Sequence, residues 1–309
     1  MTNAVRILIT GGTGFLGSAL ARHWSAQGHA VGILSRSNVT PERLADIEQS
    51  LTIMKFDCHD EIVAATQAFK PDAIIHTACS YGRAGEPLRL LVDANVGLGL
   101  SLIDAVLTGL PSPVCFMNAA TVLDANTNYY ALSKTQFSEW GRTISNDKPD
   151  QLSFLDLRLQ QMYGPGDDQT KFTTHIIRSC RNNVARLPLT SGEQMRDFIH
   201  VDDVVQAFDK VLLARHDLTS YEQIDIGSGD AMRIRDFAEL AKQLTRADTV
   251  LDFGAVAYRP NEAMFCEANT LRLRQMGWSP IYDMLQSGLQ QMLDAEAATS
   301  SEIQKVITA

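Results

Sequence analysis

The feature that most constrains the fold of this chain is a glycine-rich loop directly after a short apolar segment. The segment is Val5–Thr10 and the loop is Gly11–Gly17, with the sequence GGTGFLG. Glycines spaced as G-x-G-x-x-G between a strand and a helix allow a tight turn, and they let a dinucleotide pyrophosphate approach the helix N-terminus. The sequence therefore predicts a dinucleotide-binding α/β fold. The loop residues expected to contact the cofactor are Gly11, Gly14, Phe15 and Leu16.

Apolar segments and helical patterns alternate through the first half of the 309-residue chain. The predicted strands are Val5–Thr10, Ala30–Leu34, Leu51–Phe56, Ala73–Thr77, Val114–Asn118 and Ser153–Leu159. Between them, helices are predicted at about 15–27, 41–49, 60–69, 88–109 and 128–146. Such alternation is typical of a doubly wound parallel sheet, the Rossmann arrangement, whose strand C-terminal ends share one edge.

The second half of the chain is less regular. We predict an NADP(H)-binding Rossmann domain over residues 1–165, joined again by about 200–230. A smaller C-terminal α/β lobe that binds the substrate is predicted from 166–199 and 231–309, and the tail after residue 297 is expected to be frayed. The predicted fold class is thus α/β with two domains.

Composition excludes several classes of protein. A net charge of −9 argues against nonspecific nucleic-acid binding, because neutralising phosphates requires a basic surface. The five cysteines contain no C-x-x-C pair and the histidines show no ligand spacing, so we expect neither disulfides nor a metal site. We find no signal peptide and no apolar segment long enough to cross a bilayer, and therefore expect a cytoplasmic protein without a membrane partner.

The end of the second predicted strand selects between NAD and NADP. An acidic residue there would bind the ribose 2′-hydroxyl of NAD. This chain has Ser35, Arg36 and Ser37 instead, and an arginine flanked by hydroxyls can bind a 2′-phosphate. We therefore predict NADP(H) as the cofactor. An arginine at this position can also stack on adenine, and that alternative stays open.

Tyr130 and Lys134 form a candidate catalytic pair. Residues four apart lie on one helix face, and a lysine charge near a phenol favours the phenolate, so it is expected to lower the pKa of the tyrosine. Such a tyrosine can exchange a proton with a carbonyl or carbinol oxygen. The spacing also occurs on solvated helix faces, but behind a dinucleotide loop it predicts an oxidoreductase site.

Several further motifs occur in the order found in one enzyme family. They are His76-Thr77-Ala78-Cys79, Tyr130-x-x-x-Lys134, Tyr163-Gly164-Pro165-Gly166, Arg196-Asp197-Phe198-Ile199-His200, and Gly277-Trp278-x-Pro280. Together with the glycine loop, they resemble the extended short-chain dehydrogenase/reductase family, the branch of epimerases and dehydratases that acts on nucleotide-sugars. The resemblance covers nearly the whole chain.

This resemblance implies roles for residues that spacing alone does not identify. The residues implied at the cofactor are Asp57, Cys58, Ala78, Cys79, Asn95 and Lys134. The residues implied at the substrate are Gln161, Arg196 and Arg259. The two arginines correspond to the family's diphosphate ligands, a role that suits the fork geometry of a guanidinium.

One position departs from the family pattern. The serine or threonine that usually hydrogen-bonds the reacting oxygen is replaced here by Ala119. Three interpretations stay open: Thr121 supplies the hydroxyl, Tyr130 acts alone, or the site is impaired. Loss of one such donor can cost about 2.7–4 kcal/mol of barrier. The third interpretation keeps a non-catalytic NADP-binding regulator among the alternatives.

Reduction of a ketone fits these residues best among the reactions that the resemblance implies. A dehydratase uses carboxylates beside the tyrosine, where this chain has Ala120 and Thr121, and neither can carry a proton as a carboxylate does. A 4-epimerase recycles tightly bound NAD, which Arg36 disfavours, although an epimerase stays an alternative.

The segment Tyr130–Phe137 is similar to that of CDP-deoxyhexose 4-ketoreductases, the abequose and paratose synthases of bacterial lipopolysaccharide biosynthesis. We therefore expect NADPH-dependent reduction of the C4 ketone of an NDP-4-keto-6-deoxyhexose, with CDP among the candidate nucleotides. The resemblance also implies a homodimer formed through the helices at about 88–109 and 128–146, which is an analogy between folds.

Overall fold

The structure, a computed structural model, describes residues 4–37, 42–111 and 113–308, with side chains up to residue 298. Its strands are β1 (Arg6–Thr10), β2 (Ala30–Ser35), β3 (Leu51–Lys55), β4 (Ala73–His76), β5 (Val114–Thr121), β6 (Leu152–Leu159), β7 (Gln161–Tyr163), β8 (Arg186–Leu189), β9 (Met195–His200), β10 (Tyr221–Ile226), β11 (Ala231–Arg233), β12 (Val250–Phe253) and β13 (Phe265–Cys266). Its α-helices are α1 (Phe15–Ala26), α2 (His59–Phe69), α3 (Leu88–Val92), α4 (Leu98–Gly109), α5 (Tyr129–Asp147), α6 (Phe172–Arg181), α7 (Val201–Ala214), α8 (Ile234–Thr245), α9 (Leu271–Gln275) and α10 (Leu285–Thr308). Glu42–Ser50 is a 3₁₀ helix, and a π-helical turn, Asp93–Gly97, joins α3 to α4.

Seven strands form one sheet in the order β10-β6-β5-β4-β1-β2-β3. The pairs that join β3 through to β6 are parallel. On β1, the side chains of Ile7, Leu8 and Ile9 are fully buried, as expected for a strand covered on both faces. The strand order reverses between β1 and β4. The loops after these two strands therefore meet at the switch point where α/β proteins bind ligands.

Aromatic packing holds α5 against the sheet. Phe137 of α5 contacts Phe116 of β5 and Phe154 of β6, with ring centroids 5.8 and 5.6 Å away, and the two strand phenylalanines stack on each other at 5.2 Å. All three rings are fully buried in one apolar cluster. This cluster determines where the N-terminal end of α5, with its candidate catalytic tyrosine, lies relative to the ends of the strands.

The continuous helix Leu88–Gly109 corrects one expectation. By length and composition it is apolar enough to cross a membrane, so the expectation that no segment reaches this limit is wrong. Its two aspartates, Asp93 and Asp104, are too few to lower the mean hydropathy of the helix below that of a membrane-spanning segment. Half of the most apolar 18 residues of the helix are buried inside the protein. Among the buried residues, Leu102 and Ile103 belong to the core cluster. Core packing therefore accounts for the apolar character of the buried half, whereas Leu88, Leu90 and Val92 are exposed.

The described chain divides into two compact units. The first contains the residues up to Leu159 and the segment Ala207–Asp225, and the second contains Gln160–Gln206 and the residues from Ile226 onward. Within the second unit, β9 pairs with β7, β11 and β13, while β8 pairs with β12. A separate apolar cluster packs α6, α8 and α10 with these strands. The predicted fold class, a parallel Rossmann sheet followed by a smaller α/β lobe, is confirmed.

Two local predictions differ from the structure. The helix predicted at 41–49 is a 3₁₀ helix over Glu42–Ser50, where Leu44 is the one buried residue of the segment, so little packing supports an α-helix. The tail expected to fray after residue 297 continues α10 to Thr308. No glycine or proline follows Gly288, so nothing in the sequence of this segment interrupts a helix.

Large apolar side chains are exposed along α3 and α5. They are Leu88, Leu90, Val92, Tyr129, Leu132 and Trp140. These are the helices through which the sequence analysis expects a homodimer, and clustered exposed apolar side chains are typical of interaction surfaces. The homodimer itself stays a prediction.

The contact between α4 and α5 yields a stability prediction. A methyl group at Gly99 would lie 2.2 Å from the Phe137 ring, whereas one at Gly97 would meet its nearest neighbour at 3.9 Å. Gly99→Ala should therefore destabilise the protein by about 1–3 kcal/mol through overpacking. Gly97→Ala, two residues away in the same helix, should be neutral or stabilising by about 0.5–1 kcal/mol. Thermal unfolding followed by circular dichroism measures both, and equal losses in the two variants would contradict this account of the packing.

Candidate active site

The glycine loop is shaped by two close backbone approaches. Gly11 has a φ of +68°, a left-handed conformation that glycine adopts without strain, and a Cβ there would lie 2.5 Å from the Ala78 backbone nitrogen. At Gly17, a Cβ would lie 2.2 Å from the Gly11 carbonyl oxygen. The Gly14 amide donates to that same oxygen at 2.9 Å. The loop thus requires glycine at both positions and holds α1 close to β1.

The start of α1 suits a dinucleotide. Gly14 is its N-cap, and no side chain caps the first amides, which point away from the helix as anion-binding groups. A 12-residue helix also places its positive dipole end there. These uncapped amides fit the pyrophosphate of the expected cofactor.

The residues expected at the adenine end lie after β2 and β3. Ser35 ends β2 and accepts a hydrogen bond from the Ser37 amide at 3.2 Å, while Arg36 is exposed. After β3, Asp57 accepts from the Lys55 ammonium at 2.5 Å and Cys58 is the exposed N-cap of α2. These side chains occupy neighbouring strand ends at one edge of the sheet. Their roles in binding the cofactor stay predictions.

Thr121 is the last residue of β5, two residues beyond Ala119. Its hydroxyl oxygen accepts from the Leu123 amide at 3.2 Å, a local turn that orients the side chain. A hydroxyl has one donor hydrogen and two lone pairs, so the Thr121 proton remains for another acceptor. The side chain also lies close enough to Tyr130 to lower the pKa of its phenol. The structure therefore brings the hydroxyl two residues after Ala119 to the candidate catalytic tyrosine.

The start of α5 positions Tyr130 and Lys134. Asn128 caps the helix by accepting from the Ala131 amide at 2.8 Å, which places Tyr130 in the first turn and Lys134 one turn later. Tyr130 is partly buried, whereas the Lys134 side chain is 1% exposed. Tyr129, the neighbouring tyrosine, is 66% exposed. The helix thus directs the predicted pair, and not Tyr129, toward the interior of the first unit.

The acidity of Tyr130 differs from the expectation. Burial raises the pKa of Tyr130 well above its usual value, and the neighbouring Cys79 and Tyr81 raise it further. The positive charge of Arg83 and the nearby Thr121 side chain act in the opposite direction. The expected lowering by Lys134 is therefore wrong for this state of the protein, because loss of water around the phenol outweighs the favourable charges.

Lys134 is itself affected by burial. Desolvation lowers the pKa of its ammonium, while Cys79 and the carboxylate of Asp156 raise it. Asp156 is buried on β6 and accepts from Asn118 at 2.7 Å and from Ser138 at 2.9 Å. Burial raises the pKa of this carboxyl as well. Cys79, predicted at the cofactor, thus interacts electrostatically with both members of the catalytic pair.

Asn95 has a second role that the sequence analysis missed. Its side chain is fully buried in the π-helical turn, accepts from the Ser80 amide at 2.7 Å, and donates to the Ser80 carbonyl at 2.9 Å. It also donates to the Ser133 hydroxyl at 2.8 Å, which donates in turn to the Tyr130 carbonyl. Asn95 therefore ties the loop after β4 to the first turn of α5.

The loop after β4 is the other part of the site that sequence reasoning overlooked. Tyr81 stacks on Tyr130 with ring centroids 4.9 Å apart, and the Arg83 guanidinium lies 4.7 Å from the centre of the Tyr81 ring. The sequence feature that could have identified this loop is its position after β4, a strand at the switch point of the sheet.

The second unit contains the residues expected at the substrate. Gln161 and Arg259 are exposed, and Arg196 of β9 is 7% exposed. Arg196 donates to the Glu262 carboxylate at 2.5 Å and to the Met195 carbonyl at 2.8 Å. The sequence analysis did not predict that Glu262, a carboxylate three residues after Arg259, pairs with Arg196. A diphosphate that uses Arg196 would therefore compete with this carboxylate.

Comparison with known proteins identifies the family of this chain. Residues 7–227 match the model of the NAD dependent epimerase/dehydratase family. The chain is 30% identical over 299 residues to CDP-abequose synthase of Salmonella typhimurium, covering 93% of this chain and 97% of that protein. The enzyme of the same name from Salmonella muenchen is 28% identical over 293 residues, with the same shares covered.

Solved structures show the same fold. UDP-glucose 4-epimerase of Thermotoga maritima, solved with UDP-glucose, has a TM-score of 0.81 at 19% identity, covering 95% of this chain and 99% of that one. The matched range contains the glycine loop, Tyr130 and Lys134. The chain therefore belongs to the NAD dependent epimerase/dehydratase family.

Proposed function

We propose that this protein is an NADPH-dependent 4-ketoreductase that acts on an NDP-4-keto-6-deoxyhexose in deoxysugar biosynthesis. The observation that carries this proposal is the position of the Thr121 hydroxyl at the end of β5, fixed by the Leu123 amide and close enough to Tyr130 to lower the pKa of its phenol. Lys134 is buried one helical turn after Tyr130. In this proposal, Thr121 supplies the hydroxyl that Ala119 lacks. The similarity to CDP-abequose synthases supports a CDP-linked substrate and a place in surface-polysaccharide pathways.

The chain's own residues account for the proton in this reaction. When bound, the dinucleotide would supply the hydride that C4 of the sugar accepts. Tyr130 donates its phenolic proton to the carbonyl oxygen, so that the C=O bond becomes a C–OH group and the phenol becomes a phenolate. Thr121 hydrogen-bonds the phenolate oxygen, and the Lys134 charge on the same helix face stabilises it. A proton from solvent then restores the phenol.

The protonation of Tyr130 is consistent with the direction of a reduction. Burial raises the pKa of Tyr130 and so favours the phenol, the form that donates a proton to a ketone. An epimerase would first need this residue as a base, to remove the C4 hydroxyl proton. The end of β5 offers Ala120 and Thr121 where a dehydratase would need carboxylates, so that reaction lacks its acid–base pair.

The experiment that tests the function is an assay of NADPH consumption with a panel of CDP-, dTDP-, GDP- and UDP-linked 4-keto-6-deoxyhexoses. We expect stoichiometric reduction of at least one of them, the CDP-linked sugar first. A protein that instead copurifies with NAD and interconverts C4 epimers without added reductant would be an epimerase. A protein that binds NADPH and reduces none of the panel would support the regulator.

The proton donor is tested by Tyr130→Phe. Removing the phenolic hydroxyl should lower kcat by about 10²–10⁴-fold, the usual contribution of a general acid. NADPH affinity, measured by titration calorimetry, should change little because the ring remains. Tyr129→Phe is the matched control on the adjacent exposed residue and should retain full activity. Normal turnover by the Tyr130 variant would rule out this assignment.

The replacement hydroxyl is tested by a pair of substitutions at Thr121. Thr121→Val preserves the shape of the side chain and should lower kcat by about 10²–10³-fold, as for loss of one oxyanion donor. Thr121→Ser keeps the hydroxyl and should retain most of the wild-type kcat. Equal rates for the valine and serine variants would show that Thr121 does not supply the missing group.

The cofactor preference is tested at Arg36. Loss of a charge-assisted hydrogen bond to the 2′-phosphate is worth about 1.5–3 kcal/mol, so Arg36→Leu should raise the Kd of NADPH by about 10–100-fold. The Kd of NADH, which lacks that phosphate, should change little. Weakening of both dinucleotides to the same extent would instead indicate that Arg36 stacks on adenine.

A further inference from the structure

The loop that follows β4 has a shape determined by its own polar groups. Glu86 accepts from the Ala84 amide at 2.8 Å and from the Ser80 hydroxyl at 3.2 Å. Gly82 and Gly85 have φ values of +67° and +77°, so both turns use conformations that favour glycine. The carboxylate of Glu86, at the end of the loop, therefore binds Ser80 at its beginning and Ala84 within it. Between Ser80 and Glu86, the loop presents Tyr81 and Arg83.

This loop is anchored to the helix that carries Tyr130. The Asn95 amide binds Ser80 at both its N–H and its C=O, and it also donates to Ser133. Because Ser133 donates to the Tyr130 carbonyl at 2.8 Å, a chain of hydrogen bonds connects the loop with the backbone of the tyrosine. The geometry of Tyr81 relative to Tyr130 is thus maintained by contacts outside the two rings.

The side chains of the loop form a stack over the candidate acid. The Tyr81 and Tyr130 rings have centroids 4.9 Å apart and planes inclined by 37°, a distance at which aromatic pairs attract each other. The Arg83 guanidinium lies 4.7 Å from the Tyr81 centroid, within the range of a cation–π contact. Arg83 is exposed and Tyr81 is 39% exposed, so both are at the boundary between the site and water.

We propose that Tyr81 and Arg83 are positioning residues for Tyr130: the Tyr81 ring holds the phenol in place, and the Arg83 guanidinium supplies a positive charge toward it. As a contribution to catalysis, this inference rests on the proposed reductase function. The role is distinct from that of Lys134, which lies one turn after the tyrosine on the same helix. The loop after β4 would therefore supply the groups that position Tyr130 as the proton donor.

The charges around the phenol support this assignment. Cys79 and Tyr81, on the β4 side, raise the pKa of Tyr130, and Arg83 lowers it. Thr121, at the end of β5, also lowers it, and Lys134 lies one turn along α5. Arg83 is the one guanidinium among these groups, and unlike Lys134 it stays charged at every accessible pH. It can offset part of the effect of burial under all working conditions.

A direct measurement of the phenol tests the charge without requiring turnover. Tyr130 is replaced by a trifluorotyrosine, whose intrinsic pKa is lower and falls in an accessible range, and its fluorine NMR signal is titrated. Removing the guanidinium with Arg83→Met should move the midpoint to higher pH by about 0.3–1 unit, as expected for one charge at about 10 Å. Arg83→Lys should retain most of the wild-type midpoint.

The control is Arg89→Met, which removes an equal charge from the neighbouring helix, where the arginine side chain is 84% exposed and pairs with Asp93. This variant should leave the midpoint unchanged. A midpoint in Arg83→Met that equals the wild-type value, or an equal shift in Arg89→Met, would overturn the proposal. Because no substrate is involved, this result stands whether or not the proposed reaction is correct.

The positioning role of the ring is tested in the NADPH-dependent assay with the CDP-linked 4-keto-6-deoxyhexose. Tyr81→Leu removes the stack and should lower kcat by about 10–100-fold with little change in KM, as for a misplaced catalytic group. Tyr81→Phe preserves the stack and should retain wild-type kcat. A large increase in KM with unchanged kcat would show that the loop binds substrate instead, and the positioning role would be wrong. Absence of turnover in the wild-type protein would count against the proposed function alone.

Discussion

The buried side-chain amide of Asn95 is the interaction on which the candidate site depends. Its hydrogen bonds connect the loop after β4, the π-helical turn between α3 and α4, and the first turn of α5. A π-helical turn inside a longer helix is uncommon and is often found at functional sites. Here it contains Asn95, whose polar side chain is fully buried. An aliphatic residue at this position would leave the Ser80 amide and carbonyl without these partners, at a cost of about 1–3 kcal/mol for each buried polar group.

The site balances two opposed requirements. A catalytic phenol and ammonium need exclusion of water so that their charges act strongly, yet exclusion of water disfavours the charged form of each. Burial accordingly raises the pKa of Tyr130 and lowers that of Lys134. For a reductase this direction is useful, because the phenol starts protonated and the charge forms only as the proton leaves. In our proposal, Thr121 and Arg83 then stabilise the phenolate at that moment.

Much of the fold was predictable because it follows from local patterns. The apolar segments at Val5–Thr10 and Val114–Asn118 differ from β1 and β5 by no more than three residues at either end, and the glycine spacing identified the first turn. The acidity of Tyr130 was not predictable from a four-residue spacing, because it depends on burial and on groups contributed by other elements. Asn95 and Arg83 illustrate the same limit: hydrogen-bond partners and stacked rings 38 and 49 residues apart carry no periodic signal in the sequence.

The strand order has a consequence for synthesis of the chain. β10 forms the edge of the seven-stranded sheet beside β6, but it is contributed by residues 221–226, long after β6 ends at Leu159. During translation the first six strands emerge well before their last partner, so β6 presents an open hydrogen-bonding edge while the intervening 61 residues are made. Exposed edges of this kind favour aggregation of incomplete chains. A fragment that stops near residue 165 would lack β10, and one side of β6 would stay unpaired. We therefore expect that the segment predicted to bind the cofactor cannot be produced as a stable fragment on its own.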